Sequence, residues 1–211
     1  MEIGRLQAFS DGVFSILLTL LVLDFKLPAY RDGHLAQAVL NQWPILVAYG
    51  LSFFYVGTLW LFHHDYFAKI KETNWQLNVL NLVILFTVTL INYPTSLLAE
   101  SIAQQQRNDM QFAFSYYALV ALLISAMFWV LYRFMAQHHE LTGYDQNHER
   151  FYQRTKNDPL KSVTIYLVAL VGIQINPWLG AVLIIAGNVF HFIAYLRLSQ
   201  GIEQYGLIKK G

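Results

Sequence analysis

The sequence contains no cysteine. That excludes disulfides, thiolate zinc sites, iron–sulfur clusters and thiol nucleophiles, and it is silent on compartment. Charge is scarce as well. Asp, Glu, Lys and Arg make up 13% of the 211 residues, about half of what a soluble domain carries. A surface so poor in charge is not built for water alone. The formal net charge is only +1, too small a field to expect nucleic acid as a partner. No Gly-rich phosphate loop, nucleotide fingerprint or internal repeat occurs. What the chain does have is apolar side chains, 56% of it, with 16% aromatic. That excludes a disordered chain.

Six apolar segments run roughly over residues 5–25, 36–62, 77–99, 112–135, 160–176 and 178–198. A helix crossing the hydrocarbon core needs about 20 mostly apolar residues. The stretches 79–91 and 119–131 are apolar nearly all round, whereas a soluble bundle would show a single stripe. The fifth segment is short and meets the sixth at Asn176-Pro177, so the pair reads as a helical hairpin. The expected fold is an all-α membrane protein of six transmembrane helices, one domain over residues 1–211. Lysine and arginine set its orientation. One side holds Arg5, Lys69, Lys71, Arg133, Arg150, Arg154, Lys156, Lys161, Arg197, Lys209 and Lys210; the other holds Lys26, Arg31 and Arg107. The richer side is read as cytoplasm, which places both termini there. The expected location is a cell membrane, multi-pass.

The first segment carries the chemistry. Asp24 marks its outer end, and Asp11 lies thirteen residues earlier, about 20 Å down the axis. An ionisable side chain at that depth is a functional-site hypothesis. The plainer alternative makes Ser10-Asp11 an N-cap. At about 100° per residue, Phe9, Ile16, Leu20 and Leu23 share a stripe with Arg5, Thr19 lies beside it, and Asp11 points about 140° away from Ile16. Asp11 therefore needs a partner inside the protein. Trp60, His63 and His64, followed by Asp65, stand at the matching depth at the end of segment two, and Ser10 is within reach of the same group. Asn78, Asn81 and Asn188 read as interhelical contacts outside the site.

Arg5, the run Phe9-Ser10-Asp11-Gly12, the apolar stretch to Leu23 and Trp60-x-x-His63-His64 together resemble the signature of the transmembrane-protein-175 family of potassium channels. The resemblance implies the single-repeat prokaryotic form: a homotetramer with three identical subunits as partners, in a lipid bilayer. It implies a cation channel with modest preference for potassium over sodium, and proton permeation is known among family members. It further implies that the first helix lines a central pore. Ile16, five residues after Asp11, would form the constriction, with Thr19, Leu20 and Leu23 as further pore positions. Arg5, Phe9, Ser10 and Asp11 would belong to a network holding that helix, with Trp60 and His64 beside it and His63 as its segment-two partner. Asp65 departs from the pattern, since a basic residue commonly follows the histidine pair. No cofactor beyond permeant potassium ions and no enzyme chemistry is implied. A ring of four Ile16 side chains would filter and gate by dewetting.

Three other classes compete, one of them a membrane scaffold without transport, against which Asp11 and the one-sided stripe argue. His63, His64, Asp65, His138, His139, Glu140 and His148 could ligate a metal in a membrane enzyme, but no His-x-x-His-His or His-Glu-x-x-His spacing is present. A secondary transporter would favour broken helices; Tyr93-Pro94 interrupts segment three, and a single proline there reads as a tolerated kink.

Overall fold

The computed structural model describes residues 2–142 and 158–205. The stretch 143–157, which holds His148, Arg150, Arg154 and Lys156, lies outside the described residues, as do Lys209 and Lys210. Among the described residues all regular structure is helical. The α-helices are α1 (Ile3–Leu20), α2 (Leu35–Leu40), α3 (Trp43–Phe67), α4 (Trp75–Thr89), α5 (Asn92–Gln104), α6 (Arg107–Gln137), α7 (Asp158–Ile175) and α8 (Pro177–Tyr205). Among the described residues five spans are long and apolar enough to cross a membrane: Ile3–Asp24, Trp43–Phe67, Trp75–Gln104, Arg107–Gln137 and Pro177–Gly201. The apolar part of α7, Leu160–Ile175, is shorter.

Three boundaries differ from the sequence reading. The second segment, expected over 36–62, is two helices. α2 stops at Leu40, and α3 starts at Trp43 with Pro44 in its first turn, where a missing N–H costs nothing. α3 then continues to Phe67. The third segment, expected as one kinked helix, is broken at Leu90 and Ile91. Pro94 supplies no N–H to the Leu90 carbonyl and crowds it. The backbone tightens there, with Leu90 N–H and Ile91 N–H donating three residues back to Thr87 and Val88. The first segment ends in a 3₁₀ turn, Leu21–Asp24.

Other ends follow their sequence signals. The Asn74 side chain accepts the Leu77 N–H (2.8 Å) and caps α4. Asn176 accepts the Trp178 N–H (2.9 Å), which starts α8 at Pro177 and closes the α7–α8 hairpin. Close packing of that hairpin depends on glycine. A Cβ at Gly180 would collide with Ile173, and one at Gly187 would come within 3.0 Å of the Tyr166 ring.

α7 and α8 pack on each other and on α6, and α3 closes this group against α5 and α8. α1 lies to one side, in contact with α3 and α4. The outward surface is apolar, with Phe54, Phe86, Phe112, Val171 and Val182 all exposed, as lipid-facing positions require. Trp43 and Trp178 stand in the first turns of α3 and α8, and Trp75 in the first turn of α4, which runs the opposite way. Tryptophan at helix ends is how membrane proteins mark the interfaces.

Candidate functional site

α1 has two faces of different chemistry. Leu6, Ser10, Phe14, Leu17 and Leu21 are buried, and their three- and four-residue spacing puts them on one stripe. The opposite stripe is open. Phe9 is 53% exposed, Ile16 60%, Leu20 44% and Leu23 68%, and Arg5, Gly12 and Thr19 are exposed beside them.

The buried stripe is tied down by two sets of hydrogen bonds. The first runs across three helices. His63 Nε2 lies 2.7 Å from Asn81 Oδ1, Asn81 Nδ2 donates to Ser10 Oγ (3.0 Å), and Ser10 Oγ donates to the Leu6 carbonyl (2.9 Å). Asn81 uses its nitrogen toward Ser10, so its oxygen is the acceptor and His63 Nε2 carries the hydrogen. The chain of donors thus runs one way and ends on a backbone carbonyl. All three side chains are buried, Ser10 and Asn81 completely. The His63 ring stacks on Phe67 (4.1 Å between centroids) and meets Phe14 at 5.5 Å. The second set is a single bond: Trp60 Nε1 donates to Asp11 Oδ1 at 2.8 Å. Asp11 is half-buried, turned away from the open stripe.

The arrangement differs from the expected network at several points. Of the partners expected for Asp11, Trp60 makes the bond, whereas His63 turns to Asn81. His64 is exposed beside the Trp60 ring (5.7 Å). Arg5 and Phe9 stay outside the network within one chain because they sit on the open stripe. Asn81, read from sequence as a mere interhelical contact, is the hub. One signal was available: it lies four residues after Leu77 and three before Ile84, on the buried stripe of an apolar helix, where a polar group needs partners.

The open stripe has polar detail of its own. Thr19 Oγ1 donates to the Ile16 carbonyl (2.8 Å) and Ser15 Oγ to the Asp11 carbonyl (2.7 Å). Each hydroxyl spends its hydrogen on the helix and keeps its lone pairs for other partners. At the far end, Ser96 Oγ donates to Asp24 Oδ2 (2.6 Å), fastening the end of the first span to α5. Beyond α3, burial lowers the Lys69 amine from the ordinary 10.5 to about 7, and nearby Asp65 opposes the shift. As for a metal centre, no three histidine, aspartate or glutamate side chains converge among the described residues; His148 lies outside them.

The fold and this two-faced first helix define a multi-span membrane protein that leaves one apolar helix face unpartnered in a single chain. Comparison with known proteins gives the family. The family model of the endosomal/lysosomal potassium channel TMEM175 matches residues 5–92. A potassium channel of Streptomyces collinus is 40% identical over 137 residues, covering 63% of this chain and 66% of that protein. A potassium channel of Chamaesiphon minutus is 33% identical over 182 residues, covering 85% of this chain and 88% of that protein. The crystal structure of a lysosomal potassium-selective channel TMEM175 homolog from the same organism superposes with a TM-score of 0.76 at 30% identity, covering 92% of this chain and 97% of that one. The chain belongs to the TMEM175 family of channels.

Proposed function

We propose that this chain is the subunit of a potassium channel in which four copies surround an axis lined by the open stripe of α1. The observation that carries this reading is the stripe itself. Ile16, Thr19, Leu20 and Leu23 are unpartnered in one chain, while the opposite face of the same helix is fixed by buried hydrogen bonds. Relatives of like length that are named potassium channels support the permeant ion.

Around the axis, four Ile16 side chains form an apolar ring. Such a ring blocks ions when narrow and dry, and passes them when wider and wet. It offers no oxygen to replace lost water, so the ion that holds its water less tightly, potassium, passes more easily than sodium. The preference is modest for that reason. One turn further out, the Thr19 oxygens, whose hydrogens are held by Ile16 carbonyls, present acceptors to the ion. Protons pass when the ring is wet. Arg5 and Phe9 line the cytoplasmic approach, and the Ser10–Asn81–His63 and Asp11–Trp60 bonds hold the helix at its radius. Both termini face the cytoplasm of a prokaryotic cell.

The test is bi-ionic current from purified protein in lipid, potassium against sodium. The reversal potential should favour potassium, and Ile16→Asn, which wets the ring, should bring the permeability ratio toward unity. An unchanged ratio counts against Ile16 as the filter. A saturating flux coupled to protons would turn the reading to a transporter, and a stoichiometric transition metal in the purified protein would turn it to a metal enzyme.

A further inference from the structure

A second polar feature lies away from α1. Between α3, α6, α7 and α8, in the half of the bundle that holds the C-terminal ends of α3, α6 and α8, is a cavity with about 40 Å³ of room for water. At 10–15 Å³ per molecule that is space for about three waters. Its walls include Phe62 and Tyr66 from α3, Ser125 from α6, Asp158 and Ser162 from α7, and His191 from α8. Asp158 and Ser162 belong to the first turns of α7, so they stand at the loop end. His191 lies seven residues before Leu198, also in the wall, which puts it about 10 Å deeper.

Two observations point to an occupant. Ser125 is 2% exposed, and among the described residues its Oγ makes no hydrogen bond of good geometry, the Tyr55 hydroxyl being a polar group near it. A buried hydroxyl left so is costly, and water is its usual relief. His191 is 5% exposed, and its Nδ1 lies 3.0 Å from the Gly187 carbonyl. A carbonyl only accepts, so Nδ1 carries the hydrogen and Nε2 is left as an acceptor. The ring packs among aromatic rings, with the centroids of Tyr55, Tyr166 and Phe62 at 5.4, 5.8 and 6.5 Å. Besides His191, the ionisable groups lining this space are Tyr66 on α3 and Asp158 on α7, while Tyr55 on α3 and Tyr166 on α7 pack against the His191 ring. Lys161 is held outside by its 2.8 Å ion pair with Asp158.

We propose that each subunit carries a water-filled, proton-binding pocket of its own, separate from the face of α1. Water entering past Asp158 and Ser162 reaches Ser125 and His191, and His191 Nε2 takes the proton. The inference does not rest on the potassium-pore reading, and either can fail alone.

Exchange of histidine C2 hydrogens into deuterated water, read by mass spectrometry on the intact protein in lipid nanodiscs, tests this without any substitution. His63 and His191 are both buried in helices, but only His191 borders the cavity. His191 should exchange at least about tenfold faster than His63. Equal rates would overturn the proposal. Ser162→Phe narrows the entrance and should slow His191 by about tenfold while leaving exposed His64 unchanged. If His191 keeps its rate in a folded Ser162→Phe protein, the assigned entrance is wrong. If that variant does not fold, the wild-type comparison still decides.

Discussion

The two faces of α1 differ in how much of their environment one chain supplies. The buried face finds partners in α3 and α4. Ser10 meets Asn81, Asp11 meets Trp60, and Phe14 meets His63. The open face finds none, although Ile16 and Leu23 are among its most exposed apolar side chains. The lesson is that the subunit fold places the helix, and that the open face answers to something outside the subunit. Substitutions on the buried face should therefore move stability, and those on the open face should move conduction.

On the buried face the largest stability effect is expected at the hub. Asn81→Leu leaves Ser10 and His63 facing an apolar side chain and should cost about 1–3 kcal/mol, within the range for buried hydrogen-bonded groups and interhelical bonds in membranes. Denaturant unfolding in detergent reads it. Adding Ser10→Ala to Asn81→Leu should cost less than the sum of the two alone, because both report one chain of bonds. Strict additivity would show that the chain does not act as a unit. Trp60→Phe removes the one donor to Asp11 and keeps an aromatic body in place, for an expected loss of about 1 kcal/mol. No loss would mean that Asp11 needs no partner inside the protein.

Thr19→Val sharpens the contrast from the other side. It keeps shape and deletes an acceptor on the open face. Stability should stay within about 0.5 kcal/mol, while single-channel potassium conductance falls. A destabilised protein with normal conductance would reverse the assignment of the two faces.

A pH-dependent effect is expected at Lys69, outside the spans. The folded amine titrates near 7 and the unfolded one near 10.5. Between these values the unfolded chain binds a proton that the folded chain lacks, so stability rises with pH across this window and the cost of burying the charge is full below 7. Lys69→Met should lose that slope. Melting temperatures of both proteins at about pH 6.5 and about pH 9.5 check it, and wild type should gain on the variant at the higher value.

Much of the fold was legible in residue order because helices in a membrane need length and apolarity, and both are local properties. The hairpin at Asn176-Pro177 and the cap at Asn74 belong to this class, since a turn residue acts on backbone two or three positions away. The breaks at 41–42 and 90–91 were less legible. Apolar composition continues through 90–91, and although Asn41-Gln42, Pro44 and Pro94 mark the two places, it is backbone hydrogen bonding that shows where each helix stops. On α1, the spacing of Leu6, Phe14, Leu17 and Leu21 against Phe9, Ile16, Leu20 and Leu23 separates two faces by arithmetic alone.

Which neighbour meets the polar groups was beyond such arithmetic. Trp60, His63 and His64 stand within five residues of one another, so depth treats them nearly alike. Their azimuth around α3 separates them, sending Trp60 to Asp11, His63 to Asn81 and His64 outward. Asn81 shows the same limit, since an asparagine in an apolar run has the same local pattern whether it joins two helices or three. Periodicity determines which side of a helix turns inward because it depends on one chain's own geometry. Pairing depends on the rotation and offset of separate helices, and those are set only when the whole bundle packs.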